Sequence, residues 1–435
     1  MLRKRRLAAV VIAVSLLLSF ASGDSGQAAE TSKKKLKVNL DSLVAKREYP
    51  KLEESLPQAS LDDSTRAYFE GVLANRRNEL DRSISLLEPL VPGLKATRPD
   101  RAAVALRSLA DSYVKSFRYA DADRAYAQLL TGYAKRFTPA DRQSLKDDAA
   151  TNALLKDAPA QSVEMHGEFS LATHHSPIGT IDTDLTVEGI TKSWILDTGA
   201  NFSVVTESLA RQMGLKLSEG TAQTQGTSGA ENRLHTAIIP EIRIGSATVR
   251  NVVALVLEDK SLTIPLPKGK YQIEAILGYP VLSALGQLTF TNDNRVLVGT
   301  GGDATGAKIY MQELNPLIEY RIAGRDLLLM MDTGASSTSL TARYREAFPD
   351  QFIGLTEEAH AVAGAGGTKK IRAYELPELK IGIGNQTATL KGVFVSAEPL
   401  GTDFDMLYGT TGRDLTGQFK SFTLDFKSMR FRVEK

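Results

Sequence analysis

Two stretches of this 435-residue chain repeat one another in residue types that can move protons. Ser193-Trp194-Ile195-Leu196-Asp197-Thr198-Gly199-Ala200 is matched by Leu329-Met330-Met331-Asp332-Thr333-Gly334-Ala335, which sets the two aspartates 135 residues apart. In each copy an apolar strand runs into Asp-Thr-Gly. Such a strand buries its backbone, the carboxyl emerges at the tip, and the glycine lets the chain turn with no Cβ in the way. The threonine can point inward and hydrogen-bond across to its counterpart, fixing the two loops together. Two carboxyl groups about 3 Å apart cannot both ionise, so they share a proton. One can then act as general base on a trapped water while the other, protonated, polarises a scissile carbonyl. Their titration belongs to the pair.

The composition leaves room for little else. With no cysteine, thiol nucleophiles, disulfide scaffolds, Cys-rich zinc sites and a cysteine-based lipoprotein anchor are excluded. Five scattered histidines argue against a multi-His metal centre, so neither a metal nor a cofactor is expected. His174-His175 reads as a loop pair and Trp194 as core packing. Gly364-Ala365-Gly366-Gly367-Thr368-Lys369 lacks the glycine spacing of a phosphate loop, and a strand follows it where a helix would be needed. A formal charge of +2 is far too small for a nucleic-acid binder.

The elements that must position the aspartates are strands. From near Ala158 valine, isoleucine, threonine and glycine rise, and alternation replaces helical spacing. Four features recur in the same order. Gly189 and Gly324 lie eight residues before their aspartates, where a hairpin should turn. Glycine-rich stretches follow at Gly226-Thr227-Ser228-Gly229 and Gly364-Ala365-Gly366-Gly367. Strand pairs then close at Ile244-Gly245 and Ile381-Gly382, and Ile276-Leu277-Gly278 has its counterpart in Leu407-Tyr408-Gly409. The order and spacing indicate an internal duplication, with a site between its halves.

These Asp-Thr-Gly-Ala loops, later apolar-apolar-Gly strands and glycine-rich hairpins resemble aspartic proteases over roughly residues 164–435. The closest similarity is to the retropepsin type, here with two lobes fused in one chain, as in bilobed pepsins. The resemblance implies that Asp197 and Asp332 are catalytic, that Thr198 and Thr333 interlock, and that Gly199 and Gly334 shape the loops. It places Gly278 and Gly409 on strands crossing beneath, and flaps at Gly226, Gly229, Gly364, Gly366 and Gly367. There are departures. Neither flap has the tyrosine of pepsins, and two extra residues separate Gly409 from Leu415 relative to Gly278 and Leu282. Ala200 and Ala335 stand where pepsins carry a hydroxyl that favours the ionised carboxyl, so activity at weakly acidic to neutral pH is expected.

Residues 36–157 have helical spacing. At an offset of 39, Tyr68, Gly71, Ala74, Ser83, Leu87 and Leu90 line up with Arg107, Ala110, Tyr113, Ala122, Tyr126 and Leu129. This is similar to a degenerate tetratricopeptide repeat. An unrelated helical bundle is the alternative. Ahead of it, Arg3 to Arg6 are basic, Leu7 to Ala21 are apolar, and small residues run to Ala29, the layout of a secretory signal peptide. Cleavage would fall after Gly23 or Ala29. The apolar run is shorter than the ~20 residues of a membrane-spanning helix, so a membrane enters only if this segment stays uncleaved. Removing residues 1–29 takes away four of 53 basic and one of 51 acidic residues, leaving 49 against 50. The apparent basicity belongs to the export signal.

The expected chain is multidomain: an all-α helical-repeat N-terminal domain and an all-β, double-lobed, acid-protease-like domain with pseudo-two-fold symmetry. Its boundaries are a signal peptide at 1–29, the tetratricopeptide-like domain at 30–160, a first lobe at 161–300, a linker at 301–307 and a second lobe at 308–435. The expected activity is that of an exported (periplasmic or secreted) aspartic endopeptidase acting on extended polypeptides, with a protein partner docking on the helical domain. The alternative is a catalytically silent peptide-binding adaptor using the repeats and the interlobe cleft.

Overall fold

The computed structural model describes residues 39–225, 231–266, 268–364, 367–401 and 403–435. The expected signal peptide and the tips at Gly226, Gly229 and Gly366 lie outside the described residues. Helices come first: α1 (Leu40–Ala45), α2 (Tyr49–Ser55), α3 (Asp63–Arg76), α4 (Leu80–Leu87), α5 (Val91–Thr97), α6 (Pro99–Lys115), α7 (Tyr119–Gly132) and α8 (Pro139–Leu155). Local chemistry starts them. The Asp62 carboxylate accepts the Thr65 N–H at 2.8 Å, and Thr138 caps α8, with Pro139 as its first residue. Three successive helix pairs turn on a residue with positive φ: Arg47 (54°), Asn78 (60°) and Phe117 (57°). The last two are 39 residues apart, the offset already seen in the sequence. At Gly71 a methyl group would lie 2.6 Å from Leu87 Cγ, so glycine is what lets α3 and α4 touch.

The β part follows as two similar halves. The first contains β1 (Ser162–Met165), β2 (Phe169–Ala172), β3 (His174–His175), β4 (Ile181–Val187), β5 (Ile190–Leu196), β6 (Ser203–Thr206), helix α9 (Glu207–Gln212), β7 (Ala222–Gln225), β8 (Glu231–Ile244) and β9 (Ala247–Leu257). It continues with β10 (Thr263–Pro265), β11 (Lys270–Gln272), β12 (Ala275–Leu277), α10 (Tyr279–Ala284), β13 (Gln287–Thr291) and β14 (Arg295–Gly299). The second has β15 (Ala307–Gln312), β16 (Asn315–Ile322), β17 (Arg325–Met331), β18 (Ser339–Leu340), α11 (Ala342–Ala347), β19 (Glu358–Gly364), β20 (Gly367–Ile383) and β21 (Gln386–Ser396). It ends with β22 (Gly409–Thr411), α12 (Arg413–Thr416), β23 (Ser421–Asp425) and β24 (Arg430–Glu434).

Each half has a sheet around its Asp-bearing strand, in the orders β3-β4-β5-β12-β6-β9-β8-β7 and β19-β20-β21-β18-β22-β17-β16. Hairpins turn at Glu188-Gly189 and Ala323-Gly324, all four at positive φ, the primed geometry that matches strand twist. The second sheet runs on through β15-β24-β23-β13-β14-β2, so strands 169–172 and 287–299 of the first half join the second half's sheet across the expected boundary. The expected linker is a fixed turn. Buried Asp425 accepts the Gly302 N–H at 2.9 Å, and β15 already starts at Ala307.

Two sequence registers shift. The second hairpin closes at Ile383-Gly384, not Ile381-Gly382: Ile383 pairs with Gln386, and Gly384 has the φ of +57° that the turn needs, as does Gly245. Gly382 is inside β20, paired with Thr387. His174-His175, expected in a loop, forms β3 against Ile181 and Asp182.

Candidate active site

Strand β5 delivers Asp197 and β17 delivers Asp332, each strand flanked by a parallel neighbour, β12 and β22. The Asp197 N–H donates to Leu277 O and the Asp332 N–H to Thr411 O, both at 3.1 Å. That equivalence corrects the expected partner of Gly278. It is Gly412, not Gly409. A Cβ on Gly278 would lie 2.8 Å from Ala200 O, and one on Gly412 would lie 2.9 Å from Ala335 O. The Gly278 N–H donates to Ser203 Oγ at 3.2 Å and the Gly412 N–H to Thr338 Oγ1 at 3.3 Å. Gly409 starts β22 opposite Leu340. With Gly412 as the reference, the supposed two-residue insertion vanishes: Val281 bonds back to Gly278 O as Leu415 does to Gly412 O.

The threonines interlock. The Thr198 N–H donates to Thr333 Oγ1 at 3.0 Å, and the Thr333 N–H to Thr198 Oγ1 at 3.1 Å. Each hydroxyl then donates to the other half's strand, Thr198 to Met331 O at 2.8 Å and Thr333 to Leu196 O at 2.7 Å. Both side chains are fully buried, so every polar atom they carry into the interior is satisfied there.

Above this lock the two carboxyl groups face each other, each against the opposing loop's glycine. The Gly199 N–H donates to Asp197 Oδ1 and the Gly334 N–H to Asp332 Oδ1, both at 2.8 Å. The Ala335 N–H adds a 3.0 Å bond to Asp332 Oδ1. A methyl group on Gly199 would lie 2.6 Å from Asp332 Cγ, and one on Gly334 equally close to Asp197 Cγ, so only glycine admits the opposing carboxyl. Burial, then the Asp332 charge, pushes Asp197 well above the usual carboxyl range. Burial also raises Asp332, but the Asp197 hydrogen bond, two backbone N–H groups and the Arg413 charge pull it back. Both carboxyls are thus raised, and the pair shares a proton between them.

Arg413 was not foreseen. It follows Gly412 where Tyr279 follows Gly278, donates through Nε to Ala335 O at 3.3 Å, and reaches Ile178 O of the other half at 3.5 Å. Counting from the Thr411 register would have exposed a charged residue where the first half has a phenol. Of the expected flap glycines, Gly364 and Gly367 pair as the last residues of the β19–β20 hairpin, and β7–β8 forms the matching hairpin in the first half. Trp194 is completely buried. His174 Nε2 lies 3.0 Å from Ser193 Oγ, and among the described residues no three His, Asp or Glu side chains converge as metal ligands would.

Residues 183–281 and 318–411 match the family model described as aspartyl protease, together less than half of the chain. Their starts are separated by the same 135 residues as Thr198 and Thr333. This double match supports an aspartic protease. No curated protein is matched. Among solved structures, the chain is similar to a retropepsin-like aspartic protease from Rickettsia conorii at 20% identity and a TM-score of 0.22, covering 32% of this chain and 92% of that one.

Proposed function

We propose that this chain is an aspartic endopeptidase that hydrolyses extended polypeptides. The observation that carries the reading is a carboxyl pair, one from each half, facing each other over two interlocked Asp-Thr-Gly loops. Ionised Asp332 takes a proton from a water held between the carboxyls as its oxygen adds to the scissile carbonyl carbon. Asp197 gives its proton to the carbonyl oxygen, forming a neutral tetrahedral diol. Asp332 then passes its proton to the departing amine as the C–N bond breaks, and a diol hydroxyl returns one to Asp197. The two halves are read as related by a pseudo-two-fold axis, and their hairpins as flaps that pair with an extended substrate.

We read the helix pairs as a degenerate tetratricopeptide-like region and the basic–apolar–small N-terminus as an export signal to the periplasm or exterior. A partner for the helical region would use surfaces other than those filled by the chain's own Tyr310, Gln312 and Glu313.

Incubation with a mixed peptide library tests the activity. Cleavage should be present in the wild type and fall at least ~10³-fold in Asp197→Asn and Asp332→Asn, whose circular dichroism stays native. Peptide binding without cleavage by the wild type would instead make the chain a silent adaptor.

A further inference from the structure

The two halves seat their aspartates alike but finish the supporting strands differently. In the first half, the Thr206 N–H donates to Glu274 O at 3.0 Å, one residue before β12. The Glu274 side chain is closed within the lobe by Lys192 at 2.7 Å. In the second half, the Thr341 N–H donates to Tyr408 O at 3.1 Å, one residue before β22. Leu327 stands at the position equivalent to Lys192, so the Lys192–Glu274 contact is not repeated at Tyr408.

The helical region supplies a different contact. Glu48, between α1 and α2, accepts from the Tyr408 hydroxyl and from Arg343 Nη2, both at 2.8 Å. Arg343 lies over the Tyr408 ring at 4.1 Å and also donates to Lys46 O at 2.7 Å and to Met406 O. This pair is shielded, with 12% of the Glu48 side chain and 17% of the Arg343 side chain exposed, unlike an ordinary surface bridge. Tyr408 leads into β22, whose Thr411 O holds the Asp332 N–H, and Arg343 follows β18, which pairs with β22.

We propose that Glu48 is a positioning residue for the catalytic pair, acting through Tyr408 on β22, which seats Asp332, and through Arg343 on β18, which pairs with β22. The helical region thus completes the second half of the site. This rests on the peptidase reading above.

Hydrogen exchange and steady-state kinetics on the full chain test it. In Glu48→Ala, exchange over residues 328–334 and 407–412 should rise roughly tenfold or more, with 194–200 and 275–278 unchanged. Over the same change kcat should fall about tenfold with KM within about twofold. Tyr408→Phe removes only a hydroxyl and keeps the test valid if Glu48→Ala does not fold; it should move both readouts in the same direction. Glu274→Gln is the mirror control, loosening the first half alone. Loosening shared equally by both halves, or none with kcat unchanged, overturns the proposal. A wild type that cleaves nothing would strike the peptidase reading instead, and the exchange comparison would still decide whether Glu48 holds these strands.

Discussion

Burying two carboxyl groups against each other ties folding to pH in one direction. Both are raised above the ordinary range, chiefly by burial, so the native chain keeps protons that the unfolded chain releases. The pair's contribution to stability is therefore fully present below the unfolded value of about 3.9 and is lost as pH rises toward the folded values. Asp332→Asn removes the charge that must be buried. Its Tm should exceed that of the wild type at pH 7 by about 3 °C or more, with the gap closing below about pH 4. Calorimetry from acid to neutral pH checks this, and parallel curves would refute it. Arg413 places a positive charge beside the pair that the first half, with Tyr279 in that place, does not supply, and this charge favours ionisation. One carboxyl of the pair must be ionised to accept the water's proton, so the acid limb of kcat/KM reports the pair's first ionisation. In Arg413→Gln that limb should move to higher pH, and an unmoved limb would mean that Arg413 only braces the loop.

At the scale of elements, the sites of close approach decide what is tolerated. A Cβ on Gly412 would overlap the Ser337 backbone, which cannot swing aside as a side chain would. Gly412→Ala should reduce activity ~10²-fold or more by displacing the Asp332 loop, whereas Ala at exposed Gly93 in α5, with nothing near it, should leave kcat unchanged. The turn glycines, apolar strands and Asp-Thr-Gly loops were legible in the sequence because each is a local requirement. Register was not. Leu407-Tyr408-Gly409 and Thr410-Thr411-Gly412 both offer a glycine at the end of a short β-prone run, and Ile381-Gly382 repeats as Ile383-Gly384. Only the hydrogen bond from Asp332 to Thr411 and the positive φ at Gly384 choose between them, and both depend on long-range pairing. Arg413 and Glu48 were hidden for the same reason. Their meaning depends on the opposing half and on a helix turn some 360 residues from Tyr408.

At the scale of the molecule, one chain holds what a pair of single-lobe chains would otherwise bring together. Strands β13 and β14 pair into the second half's sheet, and the Thr198–Thr333 lock closes within the chain. Specific activity should therefore stay constant on dilution to nanomolar concentrations, where an active site shared between chains would lose it. The helical region is held by an unusual interior. Lys115 Nζ lies 3.0 Å and Arg76 Nη1 3.5 Å from the same Asp111 carboxylate oxygen, all three side chains being less than a tenth exposed. Burial pushes Lys115 down, and the Asp111 charge opposes that shift. Two buried cations thus depend on one anion. Asp111→Ala should destabilise the chain by about 3–5 kcal/mol in urea unfolding, because the cations are left uncompensated in a medium that solvates them poorly. Adding Lys115→Met removes one of those charges while filling a similar volume, so part of the loss should return. If the double variant is no more stable than Asp111→Ala alone, the cost lies in lost packing and not in unpaired charge.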